Sequence, residues 1–333
     1  MINQRVSLII LSFGQHELTI ACLQSLVRLS SPVDTIIVCD NNSSAQTCQA
    51  IIAWGTQQFG VEKVEVLDHG FENQSASQAR FVFIQNGANV GFAGGNNPGI
   101  RYALACESDF IWLLNNDTIV HPDALRHLLH CAETEQAGII GSTVVFDDNK
   151  KTVQCGGGCT YNPATTIFKP VMGGASLEEA LNQDTQPGMD YIYGASLFVR
   201  ARIFAQCGLL NENFFLFNEE IDLCTRAKRA EFAISWCRDS IVYHKVSQTV
   251  GRADSGDRKK IAFANYHENL STLIFTKTFY PHLLPFTMAF RFLGKLAILA
   301  KNRNWYLVWP LLHAYRDFLA GRNQRERYEH HPA

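Results

Sequence analysis

Short apolar runs alternate with longer stretches of helical periodicity through the first part of the chain. Residues 6–13, 34–40, 64–67, 81–84 and 109–114 read as strands. Between them, residues 16–29, 45–59, 94–106 and, after the last strand, 122–131 read as helices, with Leu18, Ala21, Cys22 and Leu26 on one face of the first. Strands separated by helices of this length form βαβ units, and such units build a mostly parallel sheet covered on both faces. Ligands of open α/β sheets bind beyond the carboxyl ends of the strands. Three polar clusters stand there: Asp-Asn-Asn-Ser-Ser at 40–44, Asn-Val-Gly-Phe-Ala-Gly-Gly-Asn-Asn at 89–97, and Asn-Asn-Asp-Thr at 115–118. Helix capping accounts for any one of them. Three at one sheet edge point to a binding site.

Composition removes several classes. Of 333 residues 47% are hydrophobic and 18% charged, which excludes a disordered chain. Twenty-nine Lys+Arg against 31 Asp+Glu excludes a basic nucleic-acid binder as the default reading. The apolar run at 6–11 is too short for a secretion-signal core. Ten scattered cysteines are therefore expected to stay reduced in a cytosolic compartment. Cys155 and Cys159 form the one tight pair, and no second pair at metal spacing accompanies them. No glycine-rich loop follows the first strand, which disfavours a dinucleotide-dependent dehydrogenase and a P-loop enzyme.

From 137 the pattern changes. Residues 138–146 and 189–200, the latter broken at Gly194, predict a β-rich and antiparallel extension of the sheet. A helix is expected over 219–230 and two edge strands at 232–236 and 240–244. Residues 246–260 predict a mobile loop running into a basic helix start, and helices follow to about 321. Residues 283–300 are apolar over nearly a bilayer-spanning length, but Arg291 and Lys295 interrupt them one turn apart. That favours an interfacial or core-packed helix over a span.

Side chains suited to catalysis gather at few places. Asp117 follows a very apolar strand, where a carboxylate holds a hard cation or caps the helix expected at 122; spacing leaves both open. Glu219, Glu220 and Asp222 follow the aromatic run 214–217. They either complement a helix dipole or supply a general base whose pKa an apolar wall raises. His244 closes a strand and is either structural or a metal or phosphate contact. The glycines at 91, 94 and 95 are expected to precede a helix and let a ligand approach the backbone.

Taken in order, the stretches 6–13, 38–44, 89–97, 113–118, 194–200, 217–223 and 242–244 resemble the family 2 glycosyltransferases of GT-A fold, specifically the rhamnosyltransferase-like branch of bacterial surface-polysaccharide synthesis. The resemblance covers about 5–250 and, more weakly, 261–322. It implies an α/β GT-A catalytic domain over 1–250, nucleotide-binding to about 135 and acceptor-side beyond, with amphipathic helices over 251–333. By position it implies that Asp40 reads a pyrimidine base. Asn89, Gly94, Gly95, Asn96, Asn97 and Asn116 line the nucleotide pocket. Gly194, Ala195 and Asp222 lie on the acceptor side. Asp117, with His244, binds Mg²⁺ or Mn²⁺, and Glu220 or Glu219 is the catalytic base. The implied reaction is inverting transfer of rhamnose or a related hexose from dTDP-rhamnose or a UDP-sugar to a glycan or polyprenyl-linked acceptor. The rival is a non-catalytic nucleotide- or glycan-binding homologue in an assembly complex.

The chain departs from the family pattern at four places. Phe13 and Gly14 replace a Tyr-Asn pair, residues 68–83 look inserted, Gly-Leu-Leu-Asn-Glu at 208–212 stands where the family has Gly-Phe-Asp-Glu, and Glu268-Asn269 replaces an Arg-Asn pair. The aromatic C-terminal helices suggest peripheral contact with the inner face of a cell membrane, with Arg291, Lys295, Lys301 and Arg303 meeting anionic headgroups. The alternative is packing on the catalytic domain or a homodimer.

Overall fold

In a computed structural model, residues 4–68, 70, 79–245 and 257–322 are described. The first strands are β1 (Val6–Ser12), β2 (Thr35–Asp40), β3 (Val64–Leu67), β4 (Phe81–Gln85), β5 (Phe110–Asn115) and β6 (Thr118–Val120). They continue with β7 (Ile139–Phe146), β8 (Val153–Gly156), β9 (Gly158–Asn162), β10 (Ile167–Pro170), β11 (Tyr191–Ile192), β12 (Ser196–Arg200) and β13 (Ile234–His244). The helices are α1 (His16–Leu26), α2 (Ala45–Phe59), α3 (Gly91–Ala105), α4 (Ala124–Glu135), α5 (Leu177–Leu181), α6 (Ala201–Cys207), α7 (Glu219–Arg229), α8 (Arg258–Phe279), α9 (Leu284–Lys301) and α10 (Val308–Leu319).

Nine strands run β3-β4-β2-β1-β5-β12-β7-β13-β6 across one sheet, with β8 paired to β7 as the tenth. A second sheet, β10-β9-β11, is three-stranded. The strands from β3 to β5 are parallel, as the alternation predicts. β12 is antiparallel to both β5 and β7, which joins the two halves of the chain in one sheet. Alternation of side chains along the central strands feeds two cores. Ile9, Ile37, Val82, Ile111 and Leu113 pack on one face; Leu8, Ile10, Val38, Phe83 and Trp112 pack on the other. Each such side chain contributes roughly 1.5–3 kcal/mol on burial.

Three expectations change. The two edge strands proposed for 232–244 are one strand, β13, with a bulge between Cys237 and Ile241. β7 flanks it along its length, and β6 covers the outer side of its last three residues, which places 242–244 inside the sheet. β6 went unpredicted; three residues carry too little pattern to signal a strand. α3 begins at Gly91, three residues before the expected start at 94, so Gly91 lies within the helix with Gly94 and Gly95. Glycine is a poor helix former, so the sequence gives no helical signal there. Tertiary contact supplies the reason: a Cβ on Gly95 would meet Leu11 Cδ1 at 2.5 Å, and one on Gly99 would meet Cys39 Sγ at 2.8 Å. The glycines let α3 lie close on β1 and β2. The loop expected at 246–260 falls largely outside the described residues, as does most of the inserted-looking stretch at 68–83.

The C-terminal helices dock through polar groups. The buried guanidinium of Arg291 donates to Asn269 Oδ1 (2.9 Å), Thr166 Oγ1 (3.0 Å) and Glu268 Oε1 (2.9 Å). Lys295 Nζ reaches both Glu268 oxygens, at 2.8 and 3.0 Å. Contrary to expectation, both cations are turned inward rather than to lipid headgroups: among the described residues their carboxylate partner is Glu268 on α8. What α9 and α10 leave outside is apolar, including Phe286, Phe290, Leu293, Ile298 and Trp309, with Trp305 between the helices.

Candidate active site

The candidate residues collect along the carboxyl edge of the sheet because strand register brings them there. Ser12 pairs with Asp40, Leu11 with Asn115, and His244 with Thr118. The amino end of antiparallel β12 meets the same edge, where Asn115 N–H donates to Ala195 O at 3.2 Å. Gly194 and Ala195 therefore stand beside the Asn-Asn-Asp turn.

At β2, capping explains Ser44, whose hydroxyl accepts from Thr47 N. It does not explain Asp40. That buried carboxylate accepts from Ser43 N through Oδ2 (2.8 Å), and its Oδ1 has no partner. Stranding a buried acceptor costs about 1–3 kcal/mol unless a ligand meets it.

The polar residues that follow β4 are mostly occupied. Asn41 Nδ2 donates to Asn89 Oδ1 (3.2 Å) and Gly91 O (2.9 Å), and Asn86 Nδ2 to Asn41 Oδ1 and Gly95 O. This network clamps the start of α3 onto the sheet. Asn97 Nδ2 donates to Leu210 O and Glu212 Oε1 while its Oδ1 accepts from Leu210 N. Asn96 donates to Phe92 O. A Cβ on Gly94 would meet Val90, and Gly95 faces Leu11 and Asn41. Gly94, Gly95, Asn96 and Asn97 thus take part in packing α3. Asn116 is also structural: it donates to Thr19 Oγ1 on α1 at 3.1 Å.

Asp117 does not cap a helix. β6 separates it from α4, whose N-cap is Asp123. Instead its Oδ1 lies 3.1 Å from His244 Nε2, both side chains being buried, with Asn115 Nδ2 3.5 Å from the same nitrogen. His244 Nδ1 lies 2.8 Å from Gln154 Oε1, and Gln154 Nε2 donates to the Tyr193 hydroxyl at 2.9 Å. With the Gln154 amide donating to Tyr193, its oxygen is left to accept from Nδ1–H, and Nε2 faces Asp117. Two electron-rich atoms so close call for a proton or a cation between them. One carboxylate oxygen and one imidazole nitrogen suit Mg²⁺ or Mn²⁺ carried in by a diphosphate, whose oxygens complete the shell. Among the described residues no group of three His, Cys, Asp or Glu forms a self-sufficient metal cage. Cys155 and Cys159 are buried thiols with sulfurs 3.9 Å apart, and Gly156 and Gly157 between them make room for Trp236.

Opposite stands the start of α7. Phe217 and Asn218 both take left-handed backbone (φ +67° and +70°), a conformation costing about 1–2 kcal/mol each for non-glycine residues. The strained turn is braced from two sides. Phe92 N–H donates to Phe215 O at 2.8 Å, and a Cβ on Gly91 would strike that oxygen at 2.2 Å. Ser271 of α8 donates to Leu216 O, and His267 stacks on Phe215.

This turn delivers two carboxylates, each with one buried oxygen lacking a partner. Burial, then the charge of Glu220, pushes Glu219 well above its ordinary value. Burial pushes Glu220 up to about 7, against the pull of its own backbone N–H. Glu219 is 5% exposed, whereas Glu220 is more open and its Oε1 lies 3.5 Å from where a Gly194 Cβ would stand. Asp222 differs from them. It pairs with Arg226 at 2.7 Å and accepts from Asn211, which braces α7. Gln154 and Tyr193 were not foreseen. A single glutamine before a cysteine-glycine run carries no recognisable signal, and Tyr193 hid inside a strand pattern.

The profile described as "Glycosyltransferase like family 2" matches residues 4–258. The low-salt glycan biosynthesis hexosyltransferase Agl10 of Haloferax volcanii is 29% identical over 216 residues, 62% of this chain and 66% of Agl10. Rhamnosyltransferase WbbL of Escherichia coli K12 is 23% identical over 68% of this chain and 79% of WbbL. The match spans just under two thirds of Agl10 and about half of the Mycobacterium tuberculosis galactofuranosyltransferase GlfT1. Among solved structures, the Pyrobaculum calidifontis mannosyltransferase PcManGT, in complex with GDP-Man and Mn²⁺, superposes with a TM-score of 0.53. It is 12% identical, over 95% of this chain and 87% of that one. GalNAc-T7 with UDP, GalNAc and Mn²⁺ gives 0.56 at 10% identity, over 90% and 58%. These likenesses place the fold as GT-A.

Proposed function

Because this chain belongs to glycosyltransferase-like family 2, we propose that it moves a hexose from a nucleoside-diphosphate sugar to a hydroxyl of a glycan or polyprenyl-linked glycan, with inversion. The observation that carries this reading is the facing pair at the carboxyl edge. Glu220, poised near neutrality, stands against Gly194, and Asp117 with His244 lies across the same strand ends.

The chemistry follows from those positions. A carboxyl with a pKa of about 7 is partly ionised at neutral pH and basic enough to take a hydroxyl proton. As the acceptor oxygen bonds to the anomeric carbon, Glu220 receives that proton and the bond to the diphosphate breaks on the opposite face. Asp117 and His244 would hold Mg²⁺ or Mn²⁺, which when bound supplies positive charge to the departing diphosphate. The unpartnered Oδ1 of Asp40 suits the N3–H of a uracil or thymine base, favouring a UDP- or dTDP-sugar. Rhamnose as the sugar is supported by the similarity to WbbL alone. A non-catalytic binding role gives no reason to keep two unpaired, buried carboxylates beside the metal pair.

The C-terminal helices support a position at the inner face of a membrane. Pro281–Lys301 is long and apolar enough to cross one, but buried Arg291 ties it to α8 and the β9–β10 hairpin. That attachment favours lying in the interface over spanning.

Asp117→Ala tests the site. The wild type should gain thermal stability from UDP- or dTDP-sugars only with Mn²⁺, and the variant should fold but lose that gain. Equal metal-dependent protection of the variant would remove Asp117 from the site.

A further inference from the structure

His244 is held on two sides by residues outside the carboxyl-edge motifs. Gln154, on β8, meets Nδ1 at 2.8 Å, and Tyr193 stands edge-on to the imidazole with ring centroids 6.4 Å apart. The two hold each other through the 2.9 Å bond from Gln154 Nε2 to the Tyr193 hydroxyl. Tyr193 is itself pinned by main chain. Its N–H donates to Gly157 O at 3.0 Å, and its carbonyl accepts from Ser196 N at 3.3 Å. It directly precedes Gly194, the residue that faces Glu220.

We propose that Gln154, braced by Tyr193, is the positioning residue that sets the ring orientation of His244 and keeps Nε2 aimed at Asp117 for a divalent cation. This rests on the reading of Asp117 and His244 as cation ligands. A ligating imidazole needs its second nitrogen fixed by an acceptor, which selects the tautomer and strengthens the lone pair given to the metal. The Gln154 oxygen is that acceptor. Its amide N–H donates to Tyr193, whose hydroxyl holds the carboxamide in place beside the imidazole. The arrangement runs from the cation pair to the turn at Gly194. It ties the aim of His244 to the backbone that faces the base.

Mn²⁺, titrated into the full-length protein with UDP at fixed concentration, against a protein-free Mn²⁺–UDP blank, and followed by the electron paramagnetic resonance of free Mn²⁺, tests this without turnover. Gln154→Leu should weaken Mn²⁺ binding about 10–100-fold, the usual scale for loss of such a partner. Gln154→Glu, which still accepts from Nδ1–H, should restore affinity to within about threefold of wild type. Tyr193→Phe keeps the ring and the packing, removes only the hydroxyl, and should fall between the two. Wild-type Mn²⁺ affinity in Gln154→Leu overturns the proposal. So does an equal loss in the leucine and glutamate variants, which would mark Gln154 as packing. Asp117→Ala separates the levels. If it still binds Mn²⁺, the cation-site reading itself fails; if it loses Mn²⁺ while Gln154→Leu does not, only the positioning role fails. Should Gln154→Leu not fold, Tyr193→Phe carries the test, and unchanged affinity there counts against the proposal.

Discussion

Glu220 and Glu268 are the same side chain in two half-buried settings, and they respond in opposite directions. At the start of α7, burial drives Glu220 up to about 7, and one of its oxygens finds no partner. On α8, burial also pushes Glu268 up, but Arg291 and Lys295 outweigh it and hold the carboxyl below its ordinary value. One region gathers opposite charges around its carboxylate and uses them to fasten helices. The other strips partners away at a strained turn facing the strand ends. A protein optimised for stability alone would have paired or deleted Glu220. The lack of a partner is what supports the proposed role of Glu220 as the base.

The comparison breaks most sharply through Glu220→Gln. Turnover should fall about 10²–10⁴-fold, the scale of a lost general base, with donor affinity nearly unchanged. Wild-type turnover should rise with pH through about 7, because the carboxylate is the working form. Stability runs the other way. A folded-state pKa raised from 4.5 to about 7 means stability is full below 4.5 and falls as pH rises through 7. Glu220→Gln should therefore be more stable than wild type above pH 7, and the gap should close below about pH 5. A flat rate profile with no stability gain would return Glu220 to an ordinary surface acid.

Glu268→Ala should do the reverse. It strands the guanidinium of Arg291, which is 7% exposed, and should cost about 2–3 kcal/mol. This is less than a fully enclosed pair loses, because Glu268 is itself a third exposed. Turnover per folded molecule should hold. Denaturant unfolding checks the first and initial rates the second; lost turnover at unchanged stability would erase the distinction between the two carboxylates.

The smallest effect is at the outer face of the same helices. With Arg291 and Lys295 turned inward, flotation with vesicles should persist on zwitterionic lipid. Anionic lipid should add only the contributions of exposed Lys301 and Arg303, about 1 kcal/mol each. Leu293→Asp should abolish flotation. Wild-type protein that stays soluble with both lipid types would leave that apolar face to a second copy of the chain.

Periodicity made most of the first half legible. The spans of α2 and β3 agree with their predicted bounds, since uninterrupted patterns between turn residues leave little choice. It failed where tertiary contact overrode propensity, as in the glycine-rich start of α3, and where an element was too short, as in β6. Chemistry was legible by residue type but not by occupation. Asn96, Asn97, Asn116 and Asp222 are the polar residues a site would use, and a sequence does not reveal that Leu210, Thr19 or Arg226 already holds one of them. Gln154 lay beyond reach for the opposite reason: its role is defined entirely by what it touches.

The contact between Gly91 and Phe215 has a consequence for how such a molecule diversifies. A main-chain bond there fastens the helix next to Asn41 and Asn89 to the turn that carries Glu220, with no side chain in the link. Under the proposed transfer, residues on either side of the gap can be exchanged, altering which sugar enters and which hydroxyl waits for it, while the backbone link between the two sides stays the same. Selectivity becomes an interchangeable part mounted on a fixed gauge. The one substitution this gauge does not tolerate is a side chain at position 91.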